Sequence, residues 1–112
     1  MRLEELYSIL KSVLPEKVFY GMNIYDNNDN AEMPYIVYQE ISKRAIGYHD
    51  DKPILFSTVI QITLVTKRKD QNLEKRLEET LLNNNINYSL TSEFLNADRS
   101  VNRVYEINNM EE

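Results

Sequence analysis

The chain has no cysteine, one histidine, two glycines and three prolines in 112 residues. Without thiols there is no disulfide, no thiolate nucleophile and no sulfur-ligated zinc site. A single histidine removes imidazole-rich metal sites as well. Two glycines leave no glycine-rich phosphate loop and no flexible linker. Apolar runs are short: the longest β-like stretch, residues 54–66, is broken by Ser57, Thr58, Gln61 and Thr63, far from the ~20 apolar residues of a membrane helix. Acidic Glu4 and Glu5 stand where a signal peptide needs a basic start followed by an apolar stretch. A soluble protein that stays in a cytoplasm is expected, with no membrane partner and no cofactor.

What is present is enough for a core. The length is that of one domain, 1–112, and 42% hydrophobic against 28% charged residues marks a globular chain. The net charge of −5 builds in no attraction to a phosphate backbone. A sequence-specific nucleic-acid reader is therefore not expected.

Leu3, Leu6, Ile9, Leu10, Val13 and Leu14 follow the three-and-four spacing of a helical face, so a helix is predicted over residues 2–14, stopped by Pro15. A short strand follows at 18–20, then a polar loop to residue 33. Pro34 opens a strand with Ile36 and Tyr38 on one face and Tyr35, Val37 and Ile41 on the other. Residues 43–53 read as a charged connection, and the longest strand starts at Ile54. Along it Ile54, Phe56, Thr58, Ile60, Ile62 and Leu64 share one face, while Leu55, Ser57, Val59, Gln61, Thr63 and Val65 share a mixed one. That mixed face suits contact with another chain, which makes Leu55, Val59, Gln61 and Val65 candidates for a subunit contact.

Asp70 is a good N-cap for a second helix whose stripe is Leu73, Leu77, Leu81 and Leu82, with Glu74, Glu78 and Glu79 on its polar side. Asn83 to Asn85 end it. Strands are predicted over 86–95, with Tyr88, Leu90 and Phe94 on one side, and over 101–107. The order α-β-β-β-α-β-β implies an α+β domain of two layers, two amphipathic helices on a mostly antiparallel or mixed sheet.

No catalytic constellation emerges. Asp26, Asn28 and Asn30 match the first ligand spacings of a calcium loop, but Ala31 and Val37 stand where its glycine and its bidentate glutamate belong. His49, Asp50 and Asp51 can be read as a base or metal cluster, or as a solvated hairpin tip. Lys67, Arg68 and Lys69 precede a helix N-terminus, where the dipole disfavours positive charge. Helix stability did not select them, which leaves a solvated strand end or contact with an acidic neighbour or a phosphate.

Three stretches together carry a resemblance: Pro34-Tyr35-Ile36-Val37-Tyr38-Gln39-Glu40; the strand 60–66 with Lys67 to Asp70 and the Leu- and Glu-rich helix behind it; and Arg103-Val104-Tyr105-Glu106-Ile107. Over about residues 2–108 the chain resembles the small tail-completion or tail-terminator proteins of long-tailed bacteriophages and prophages. The resemblance implies a structural role and no enzyme: a ring of copies, commonly a hexamer, that caps the head-proximal end of the tail. Such a ring stops tube growth and offers the head a docking surface. The implied partners are other copies of the chain, the tail-tube protein and head-connector proteins, with DNA passing through the ring without specific recognition. The implied location is the virion, at the head-tail junction, after assembly in the host cytoplasm. Head-completion and head-tail joining proteins are similarly small and acidic, and a cytoplasmic protein-binding adaptor is the reading from another class. Within this frame Arg44, His49, Asp50 and Asp51 are partner-contact candidates, since contacts concentrate on loops held by a rigid scaffold.

Overall fold

The computed structural model describes residues 2–21, 32–49 and 52–111. Helix α1 (Leu3–Lys11) is followed by strands β1 (Val18–Tyr20), β2 (Tyr35–His49) and β3 (Lys52–Thr66), helix α2 (Gln71–Asn83), and strands β4 (Tyr88–Leu95) and β5 (Val101–Glu111). The strands form one open sheet in the order β1-β2-β3-β5-β4; β1 runs parallel to β2 and the other pairs are antiparallel. This is the expected α+β architecture, with the order of elements read from the sequence.

Period-two burial explains the layering. Thr58, Ile60, Ile62 and Leu64 on β3 are buried beneath the helices with Ile36 and Tyr38 of β2 and Tyr105 and Ile107 of β5. Leu6 and Leu10 of α1 and Leu73, Leu77 and Leu81 of α2 close this core from above. Full burial of each such side chain contributes about 1.5–3 kcal/mol. The Arg76 guanidinium donates to the Val13 carbonyl at 2.8 Å and so joins α2 to the end of α1. The opposite sheet face, which includes Leu55, Ser57, Val59, Gln61 and Thr63, carries no helix among the described residues and is half-buried.

Several boundaries differ from expectation. Helix α1 stops at Lys11 and not at residue 14: the Ser12 hydroxyl bonds the Ile9 carbonyl at 2.6 Å, and Pro15 biases Leu14 away from helix. Val13 is nonetheless buried, so the stripe stays in the core although its last turn is not helical. Residues 43–53 are mostly strand: β2 and β3 stay paired out to His49 and Lys52. This outer hairpin lacks one apolar face because Ile41 and Ile46 are exposed and Lys43 lies over the Phe56 ring, 5.0 Å from its centroid. Strand β4 begins at Tyr88, two residues later than expected, after Asn85 takes the left-handed turn (φ 61°) that ends α2. Strand β5 runs on to Glu111.

A further difference is a bulge. Leu90 pairs with Tyr105 but Ser92 pairs with Val104, so Thr91 is an extra residue, and its hydroxyl bonds the Val104 carbonyl at 3.2 Å. Beyond it the alternation is inverted. Phe94 therefore pairs with Asn102 on the open face and not alongside Tyr88 and Leu90, while Glu93 pairs with Arg103 on the helix face. The calcium-like run 26–30 and the loop around it lie outside the described residues.

Candidate functional site

The bulge completes the densest polar cluster of the described residues. Tyr105 is fully buried in the core, next to Arg103 on the same face of β5. Arg103, with its side chain 16% exposed, is held on three sides. Its Nε donates to the Tyr105 hydroxyl at 2.6 Å, its Nη1 to Glu93 at 3.0 Å and its Nη2 to Glu78 at 2.9 Å. The Tyr105 hydroxyl donates onward to Glu78 Oε2 at 2.6 Å, and Tyr88 donates to Glu78 Oε1 at 3.0 Å. Lys69 spans the remaining acids, 2.9 Å from Glu74 and 2.6 Å from Glu93.

The electrostatics follow from those bonds. Burial works against the charged form of Glu78, but donation from Tyr105, Arg103 and Tyr88 outweighs it and holds the carboxyl below its usual range. The bond from Lys69, with help from Arg103, does the same for Glu93 against a smaller burial effect. Burial, reinforced by the Glu78 carboxylate, pushes the Tyr105 hydroxyl up. Burial opposes the charge on Arg103, and its bonds to Tyr105, Glu78 and Glu93 overcome that and raise its pKa. Three carboxylates face two cations, and the donors of the guanidinium are engaged within the cluster. Chemically the arrangement is a clamp that ties α2, its N-terminal approach, β4 and β5 together.

Sequence reasoning missed most of this cluster. Glu74 and Glu78 belong to it and not to a solvated helix side; Glu74 is 5% exposed. Lys69 gave the one signal, a cation at the wrong end of a helix, and Glu74 and Glu93 explain it. Lys67 and Arg68 are exposed at the same approach. Asp70 caps α2 as expected, its Oδ1 accepting from the Leu73 amide at 3.1 Å. Lys75 and Glu79 form an exposed pair at 3.9 Å.

The remaining candidates are spread over the sheet. Arg44 is exposed on the outer part of β2, paired with Ser57, and His49 ends that strand. Asp50 and Asp51 lie outside the described residues. Leu55, Val59, Gln61 and Val65 stand in one row on the open face of β3. Val65 differs from the other three: it is 5% exposed, at the floor of a hollow lined also by Met33, Tyr35, Asn96 and Ser100. Among the described residues the sheet edges are unpaired along much of their length. Strand β1 covers β2 only at residues 36–38, and β4 has β5 on one side and no described strand on the other. On β4, Leu90, Phe94 and Leu95 are 45%, 47% and 72% exposed.

Among the described residues no group of three or more histidines, cysteines or acids is arranged to hold a metal ion, and no helix is long and apolar enough to cross a membrane. No family model matches the chain, and comparison with curated proteins finds no match.

Proposed function

We propose that the protein is a virion structural protein that caps the head-proximal end of a phage tail as a ring of its own copies, stopping tube growth and joining tail to head. The observation that carries this reading is the one-sided sheet: among the described residues helices cover one face, while the other face and two long edge segments have no helix or strand against them. The resemblance of residues 34–40, 60–70 and 103–107 to tail-completion proteins supports the same reading. So does the clamp around Arg103, which is built to hold strands in place and keeps its polar groups bonded to one another. In this role the protein is not an enzyme. Its partners are other copies of itself, commonly six in the family it resembles, the tail-tube protein and head-connector proteins. The contact candidates Arg44, Lys67 and Arg68 lie on exposed surface where such partners can reach them.

The test is the mass of the purified protein by light scattering over a range of concentrations, alone and mixed with assembled tail tubes, followed by negative-stain imaging. A closed oligomer with a central hole, or a ring seated on tube ends, is expected. A monomer that ignores tail tubes overturns the reading. If that monomer instead binds one cytoplasmic protein tightly, the exposed β4 edge identifies an adaptor that works by strand addition.

A further inference from the structure

The two open edges stand at opposite ends of one sheet, and their directions are related. Strand β3 is antiparallel to β2, β5 to β3 and β4 to β5, so β4 is antiparallel to β2 of its own chain. A second copy placed beyond β4 in the same orientation therefore presents β2 antiparallel to it, with its helices on the same side of the sheet. Among the described residues, the part of β2 with no strand on its outer side runs from Gln39 to the strand's end at His49, past the short reach of β1.

We infer that the outer edge of β4 pairs antiparallel with the outer part of β2 in the next copy, with Glu93 opposite Lys43. The inference rests on the self-assembly in the reading above and names the strands that make the subunit contact. Charge selects this register. Glu93 and Lys43 both point to the helix face, since they pair with Arg103 and Thr58. Arg44 points to the open face, as does Glu106 one strand in from β4. The same register sets Phe94 opposite Ser42 and Ser92 opposite Arg44, all on the open face. Strand β4 has no lysine or proline, and the protection its edge does carry is the bulge at Thr91 and the inward-turned Glu93, held by Lys69 and Arg103.

The stagger this register imposes is compatible with a closed ring. Within one copy the level of Glu93 runs through Arg103 and Leu64 to Ile36. The neighbour offers Lys43 there, which lies at the level of Thr58, six residues along β3 from Leu64. That stagger is about 20 Å, against a five-stranded width of about 24 Å. Copies so staggered return to a common level when strands tilt about 40° from the ring axis, within the range of closed β-barrels.

The absence of cysteine makes the test clean. Directly opposed residues of antiparallel strands are spaced for a disulfide. Copies carrying Ser42→Cys, mixed with copies carrying Phe94→Cys and oxidised, should give a crosslinked heterodimer, and the double variant a ladder of linked copies. Arg44→Cys with Ser92→Cys supplies a second pair should either first variant fold poorly. An oligomer of unchanged mass with neither crosslink overturns the strand pairing and leaves the ring standing. A monomer with no crosslink, alone and with tail tubes, overturns both. Crosslinks between two Ser42→Cys copies, or between two Phe94→Cys copies, indicate a two-fold contact and also overturn the pairing.

Discussion

Arg103 is where single substitutions should cost most outside the apolar core. Removing the guanidinium leaves Glu78 and Glu93 desolvated with part of their compensation gone. Arg103→Met should lower the unfolding free energy by about 2–3 kcal/mol, the partial exposure of the site keeping it below a fully buried pair. Lys75→Ala, which breaks only the exposed pair at 3.9 Å, should cost less than about 0.5 kcal/mol. Urea denaturation of the two variants measures the contrast. The same cluster sets the pH dependence. Glu78 and Glu93 have lowered folded pKa values, so in acid the unfolded chain takes up protons first. Their stabilisation is complete above the ordinary glutamate range, near 4.3, and is lost as pH falls through their folded values. Tyr105 is raised, so its contribution is complete below the usual tyrosine range, near 10, and is lost as pH rises through its folded value. Melting temperatures of the wild type from pH 3 to 11 should fall at both ends, and Glu93→Gln should flatten the acid limb.

At the scale of elements, the bulge at Thr91 decides which groups meet. Thr91 is the residue with none opposite it on β5, so deleting it should remove the bulge and leave Ser92 opposite Val104 and Glu93 opposite Arg103 in plain alternation. Glu93→Gln should therefore destabilise the Thr91 deletion about as much as the wild type, whereas an added alanine after Thr91, which pushes the strand out of register, should change that cost, and double-mutant cycles read both couplings directly. This element also shows where sequence was informative. Helix α2 was legible because its leucine stripe and the Asp70 cap are local signals, and β3 because one face is fully buried and alternation survives. Phe94 was placed on the wrong face because an extra residue in a strand leaves no mark in an apolar pattern. The outer hairpin looked like a connection because its side chains are not sorted into a dry and a wet face. The clamp was almost invisible for another reason. Lys69, Glu74, Glu78, Glu93 and Arg103 come from four parts of the chain, and only topology brings them together. Lys69 alone announced itself, by standing where a helix dipole repels it.

At the scale of the whole molecule, support is uneven. The sheet is five strands wide only near its middle. Beyond Phe56, where the pairing of β3 with β5 ends, the β2–β3 hairpin continues with no further described strand beside it. With no such strand alongside among the described residues, that arm's amides should exchange with solvent faster than those of Ile60 to Leu64, by orders of magnitude in protection factor. Hydrogen exchange read by mass spectrometry tests this on the isolated protein, and slowing of the arm on assembly would accompany the strand pairing inferred above.

The placement of α1 has a further consequence. Its stripe, Leu6 and Leu10, closes a core whose other walls are Ile36, Ile60, Leu77 and Tyr105, and every one of those walls comes later in the chain. The ribosome thus releases α1 well before anything exists for it to cover. Until β5 has emerged, the nascent chain carries an unsheltered greasy ridge on α1, which is the kind of surface that holding chaperones recognise. Moving α1 behind β5 by circular permutation would reverse that order of exposure while leaving the finished core the same.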